Sequence, residues 1–407
     1  MPHPLRASHP ALLQSLALAI GLLTAASTQA QEGLRPYYIG ASQTFTHDDN
    51  VRRTTTGQIS DTISSTGLLA GIDVPISRQR LFANGSVQAN RYKDRSELNN
   101  VSYSLTGGVD WETIEHLTGT LRYTAAQSLA DIERVGVTEE NLQRTQSLAA
   151  SARWGAAARL AFEGGAEHRR VNYSTSAERN YSENLGRIGV KWGTPEQLVF
   201  GVGLRLTKGK FPNRLDGGTP PAPAPDETDR KDVDLTAAWV PTGLSTITAR
   251  LSATRQTHSR SSIPRFSGAT GQLSWLYRPT GRFGFTASLG RDTGTETTFI
   301  AAPAVDPATP GPTLPLQVDS NRVSNFYQLA ATYELTGKTG LTASAVRRNG
   351  TLTSTSGTVP DATSSYLVGL RYAATRSISL GLNAGRESRD NSYVVNTVSL
   401  TGQITLR

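Results

Sequence analysis

The sequence predicts an all-β protein, a transmembrane antiparallel up-and-down β-barrel of about eighteen strands, with sixteen as the lower alternative. Three observations predict it. Segments of about ten residues alternate apolar and polar side chains, the length that crosses a bilayer at a tilt. An aromatic residue closes every second segment just ahead of a short turn: Trp111, Trp154, Trp192, Trp239, Tyr277, Tyr333 and Tyr372. The opposite ends of the segments carry longer connections rich in charge, glycine or proline. Amphipathic rings settle at headgroup level, so a ring at each short-turn end is the girdle a barrel needs.

The chain opens with a secretory signal. Arg6 supplies the positive region, Ala11 to Ala26 is apolar apart from Gln14, Ser15 and Thr24, and Ala30 suits cleavage. Residues 1–30 are therefore expected to leave as a signal peptide, and 31–407 to form the barrel. A membrane anchor is the alternative, but the segment is short for a spanning helix. The hydrophobic content is low at 37 %, as expected where only one face of each strand is apolar. There is no cysteine, which excludes a disulfide framework and a thiolate metal site. The net charge of +8, together with the signal peptide, points away from nucleic acid and toward anionic solutes or lipid headgroups.

Taken in order, the alternation places strands near 37–46, 60–73, 80–92, 99–111, 117–126, 144–154, 160–173, 183–192 and 198–208. They continue near 231–239, 246–257, 267–277, 283–295, 323–333, 341–348, 364–372, 378–386 and 392–406. The pattern is plainest at Leu81–Asn90, where Leu81, Ala83, Gly85, Val87 and Ala89 face one way and Asn84, Ser86, Gln88 and Asn90 the other. Loops are expected at 93–98, 127–143, 174–182, 209–230, 258–266, 296–322, 349–363 and 387–391. The two proline-rich loops, 209–230 and 296–322, are candidates to plug the lumen. The asymmetry of short turns and long loops puts the aromatic ends at the periplasm. Aromatic positions recurring every 38 to 56 residues also suit a propeller. Each period holds two long strands instead of four short ones, which favours the barrel.

The face opposite the apolar one carries Arg122, Arg153, Arg187, Lys191, Arg205, Arg250 and Arg371, with Asp110, Glu163, Glu167, Asp232 and Asp234 as the acidic set. A charge on the lipid face costs about 2–4 kcal/mol at the midplane, so these should line the lumen. They either keep the lumen wet by pairing across strands or steer an anionic solute. His47, His116, His168 and His258 are scattered, with no metal-ligand spacing, and no catalytic site or cofactor is expected. His47-Asp48-Asp49-Asn50 has the oxygen ligands of a calcium loop, but a plain loop at a strand end is favoured.

Two stretches carry a family likeness. Ser42 to Arg53, with its Asp-Asp-Asn-Val-Arg core, and Ser60 to Leu68, followed by Ser77-Arg78-Gln79-Arg80-Leu81 and Arg91-Tyr92, resemble EpsL-type exopolysaccharide barrels. The Thr280-Gly281-Arg282 and Thr336-Gly337-Lys338 turns are similar to turns of that family. The resemblance implies an outer-membrane barrel serving polysaccharide export or assembly, with the extracellular polysaccharide and its export machinery as partners beside membrane lipid. A general porin or nutrient channel, and a structural barrel with a closed lumen, are the alternatives. Few aromatics face the lumen (Phe82, Tyr92 and Phe326), which weakens a sugar slide.

Overall fold

The computed structural model describes residues 36–406 except 115, 131–139, 156–158, 195, 216–221, 262, 264, 295–321, 355–356 and 391. The signal peptide and most of the second proline-rich loop lie outside the described residues. The strands are β1 (Tyr37–Asp48), β2 (Asp61–Ile76), β3 (Gln79–Tyr92), β4 (Asn100–Glu112), β5 (Leu117–Leu129) and β6 (Leu142–Trp154). Next come β7 (Leu160–Tyr173), β8 (Tyr181–Thr194), β9 (Leu198–Phe211), β10 (Asp226–Thr242), β11 (Ser245–His258) and β12 (Phe266–Thr280). The last six are β13 (Phe283–Gly294), β14 (Arg322–Thr336), β15 (Thr339–Ser354), β16 (Gly357–Ala373), β17 (Ile378–Arg389) and β18 (Tyr393–Leu406).

Each strand pairs antiparallel with its sequence neighbours, and β1 pairs with β18 from Ile39↔Leu406 to Asp48↔Thr397. The sheet is therefore a closed barrel with no free edge, the only way strands can satisfy every backbone group in hydrocarbon. Burial is inverted relative to a soluble fold. Ile188 is 66 % exposed and Leu251 57 %, whereas Asp232 is 2 % and Ser252 1 % exposed. The apolar side chains face outward to lipid and the polar ones pack within. This arrangement makes the chain an outer-membrane β-barrel.

The strands are 12 to 17 residues long, more than the roughly ten that cross hydrocarbon. Part of the excess lies at the long-loop end. Residues 349–363, expected as a loop, instead continue β15 and β16 as a hairpin from Asn349↔Ala362 to Ser354↔Gly357. That stretch is rich in Thr, which favours extended backbone, and it stands where no lipid demands apolar alternation. For the same reason β9 and β10 take in both ends of the expected 209–230 loop.

At the other end the turns are tight. Gly243-Leu244, Gly281-Arg282 and Gly337-Lys338 each join two strands directly. Register shifts beside Trp239, Tyr277 and Glu334 widen the strand ends there. Gly155 and Gly193 follow two girdle tryptophans with φ of +87° and +134°, and an added Cβ would strike the Leu160 and Leu198 carbonyls. Trp154, Trp192, Trp239, Tyr333 and Tyr372 are exposed on the outer face, and Trp111 and Tyr277 are half-exposed. Trp275 joins the girdle, stacked on Tyr277 at 5.5 Å and edge-on to Phe285 at 5.7 Å.

Candidate functional site in the lumen

Strand alternation decides which side chains can meet inside the barrel. Every charged residue expected in the lumen sits on the inward face, next to an outward apolar neighbour. Arg122 adjoins Leu121, Arg153 adjoins Trp154, Arg187 adjoins Ile188, and Lys191 adjoins Trp192. Arg205, Arg250 and Arg371 follow the same rule beside Leu204, Leu251 and Tyr372.

The structure gathers these residues into clusters. On β6 to β8, Glu163 accepts from Lys191 Nζ at 2.6 Å and lies 3.8 Å from Arg153 Nε. Glu167 accepts from the Ser147 hydroxyl at 2.8 Å. Register places Arg187 directly opposite Arg205, and the Arg187 side chain crosses over Gly165. On β3 to β5, Asp110 accepts from Thr120 at 2.9 Å and lies 3.4 Å from Arg80, which also grips Asp73 at 2.6 Å. Phe82 is sandwiched between Arg80 and Arg122, whose guanidinium carbons stand 5.4 and 5.5 Å from the ring centre. Arg371 is remote from the rest, 3.8 Å from Glu334 near the short-turn end.

The densest cluster is on β9 to β13. Arg205 contacts Asp232 at 3.4 Å and Asp234 at 3.3 Å. Asp232 also accepts from Arg230 at 3.0 Å and from Thr254, and Asp234 accepts from Ser252 at 2.6 Å. Arg230 then reaches Asp292 on β13 at 2.7 Å. Two strands lie between these partners, a path of roughly 14 Å along a flat wall at normal strand spacing. The long Arg230 side chain spans β11 and β12 on the inner side of the curved wall, over small Thr254 and Thr270, which are hydrogen-bonded to each other at 2.7 Å.

Arg230 and Asp292 escaped the sequence reading. Arg230 shares parity with Asp232 and Asp234 and was open to discovery, but it fell inside an expected loop. Asp292 has the inward parity of the strand expected at 283–295, but nothing in the sequence signals a partner three strands away. Two expected lumen cations stand apart from the ion pairs. Arg122 and Arg250 have no ion-pair or hydrogen-bond partner among the described residues; Arg122 lies against the Phe82 ring within electrostatic range of Asp110, and Arg250 within that of Asp234 and Asp292.

No family model matches the chain, and no curated protein matches it. Among solved structures, it is similar to OpdL of Pseudomonas aeruginosa, with a TM-score of 0.47, 10 % identity, and coverage of 91 % of this chain and 98 % of that one. It is also similar to OccK2 (OpdF) of that organism, at 0.48 and 10 % over 91 % and 98 % of the two chains. OpdK of the same organism, solved with vanillate, matches at 0.45 and 11 % over the same shares.

The expectation of an EpsL-type exopolysaccharide barrel is corrected here, and its polysaccharide and export-machinery partners go with it. The solved structures that resemble this chain are the Opd and Occ barrels, and the residues behind the family likeness have local structural work. Asp48 holds Arg53 at 2.8 Å, and the buried Asn50 donates to the Thr54 and Val394 carbonyls. Asp61 accepts from the Asp94 and Arg95 amides and so pins the neighbouring loop. The Thr-Gly-basic turns are ordinary hydroxyl-capped turns: Thr280 accepts from the Phe283 amide and Thr336 from the Thr339 amide. Thr375 does the same for Ile378 without a glycine. Within His47–Asn50, Asp48 is held by Arg53 and Asp49 by Asn396.

Proposed function

We propose that the protein is a passive, porin-like channel for small polar solutes, with a preference for anions. Eighteen strands normally leave an aqueous channel. The observation that carries the reading is the pair of unpaired guanidiniums, Arg122 on β5 and Arg250 on β11, six strands apart on the inward face of the closed barrel. Arg153, Lys191, Arg205 and Arg371 are in direct ion pairs, whereas these two are not, so they tip the field a solute meets toward positive. Arg153, Arg187, Lys191, Arg205 and Arg371, with Asp110, Glu163, Glu167, Asp232 and Asp234, supply the hydrogen-bonding wall. No bond chemistry is involved. Transport follows the gradient.

Reconstitution into planar bilayers under a salt gradient tests this. The expected result is steady conductance with a reversal potential on the anion-selective side. Replacing both residues, Arg122→Gln with Arg250→Gln, should lower the anion-to-cation permeability ratio roughly twofold at 0.1 M salt. The loss should be smaller at 1 M, where the screening length falls from about 10 to about 3 Å. A folded barrel that passes no current, or prefers cations, overturns the proposal. The first result would favour the closed structural barrel.

A further inference from the structure

The outer face of β9 to β14 carries two adjoining hollows that the channel reading leaves unexplained. One is apolar, about 720 Å³, with Leu235, Leu251, Leu273, Leu289 and Tyr327 around a floor that includes Ala249 and Gly271. All five surrounding side chains point to lipid and are exposed. The second, about 680 Å³, lies nearer the long-loop rim on β9 to β11 and is lined by Leu206, Lys208, Asp229, Lys231 and Arg255. Lys231 and Arg255 each stand four residues beyond Leu235 and Leu251 on the same strands. At the rise of an extended chain that is roughly 13 Å. Val233 and Ala253 occupy the outward positions between, so the two hollows form one vertical track.

The cations are the informative part. Register sets Lys231 directly opposite Arg255, and like charges in that relation destabilise a sheet. The nearby Asp229 lies 3.9 Å from Lys208. Lys231 and Arg255 themselves have no ion-pair partner among the described residues. Both are exposed, whereas the intervening inward residues Arg230, Asp232 and Thr254 are buried. A shared anion would turn the repulsion into attraction, and an arginine beside a lysine suits a phosphate. The long-loop rim is the level of the outer leaflet's headgroups.

We infer that this track seats one acylated, phosphorylated lipid of the outer leaflet, its phosphate held by Lys231 and Arg255 and its chains lying in the apolar hollow below. The inference is independent of whether the lumen conducts.

The purified full-length barrel in detergent, incubated with diphosphorylated lipid A and examined by native mass spectrometry, provides the test. The expected result is one lipid A retained per barrel. Lys231→Gln with Arg255→Gln should weaken retention about tenfold, the scale of one lost charge-assisted contact. Arg282→Gln, at the opposite rim, should leave retention unchanged. Heat-modified gel mobility reports folding, and the single variant Lys231→Gln, expected to show an intermediate loss, serves if the double variant does not fold. Equal retention by a folded double variant, or by dephosphorylated lipid A, overturns the assignment. So does a lipid-free dimer that forms through the hollow and dissociates in Leu251→Asn.

Discussion

The two sides of the barrel interior are built differently. Along β3 to β6 the inward side chains are mostly half-exposed: Ser86, Ser102, Thr106, Thr120, Arg122, Ser147 and Arg153 all retain solvent contact. Along β10 to β14 many inward positions toward the long-loop end are closed, while Asp234, Thr236, Arg250 and Gln272 stay half-exposed. Arg230, Asp232, Ser252, Thr254, Thr270, Ser288, Asp292, Ser324 and Phe326 are each no more than 9 % exposed. The buried stretch is tied together by Arg230, which reaches from Asp232 to Asp292, so charges that would be solvated on the open wall satisfy one another there. The open wall is suited to a solute path, and the closed stretch to fixing the barrel's cross-section.

The largest consequence of this contrast is for stability. Asp232 has a fully buried side chain and compensates Arg205 and Arg230 together. Removing one partner of a buried ionic group leaves uncompensated charge, so Asp232→Ala should cost about 3–5 kcal/mol. Asp110 on the open wall faces Arg80 with more than a third of its side chain exposed, and Asp110→Ala should cost about 1 kcal/mol or less. Equilibrium urea unfolding of both variants in lipid vesicles checks the pair. Equal losses would mean that the two walls are equally solvated.

A smaller effect sharpens the same contrast through glycine. In the closed stretch the Phe326 ring lies over Gly290, and an added Cβ would strike it. Phe326 is 2 % exposed and has nowhere to move, so Gly290→Ala should destabilise by about 1–3 kcal/mol. On β7, next to the open wall, the atom nearest an added Cβ at Gly165 is Arg187 Nε at 3.0 Å. That flexible side chain can swing toward the lumen, and Gly165→Ala should cost about 1 kcal/mol or less by the same unfolding assay.

The contrast between the walls also separates what was legible in the sequence from what was not. Alternation and the girdle from Trp111 to Tyr372 determine strand number, order and facing, because lipid imposes a period of two and interfacial rings mark the ends. The inward direction of Arg122 or Glu163 follows from parity alone. The Arg230–Asp292 pair does not, since its partners are on non-adjacent strands. The hairpin beyond Asn349 was equally hidden: above the membrane, strand pairing continues without an apolar face to announce it. The exopolysaccharide reading went astray because Asp48, Asn50 and Arg53 look like a signature yet serve a local turn.

The smallest effect concerns the seam where β1 meets β18. The loop after β1 is clipped to the barrel by Asp49, which accepts from the Asn396 amide at 2.7 Å and from its side-chain nitrogen at 2.7 Å. Burial opposes ionisation of Asp49, but these hydrogen bonds and the charges of Arg53 and His47 outweigh it and hold the carboxyl below its ordinary value. A carboxyl depressed in the folded state contributes stability that is fully present above its unfolded value, about 4. That contribution is lost as pH falls through the lower folded value. The clip should therefore hold at neutral pH and loosen only under acid conditions below about pH 4. Pepsin cleavage within residues 49–60 should accelerate across that range in the wild type. In Asp49→Asn, whose side chain does not titrate, it should show no additional acid-dependent step. An identical pH profile for the two proteins would assign the loop's order to Asn50 and Arg53 instead.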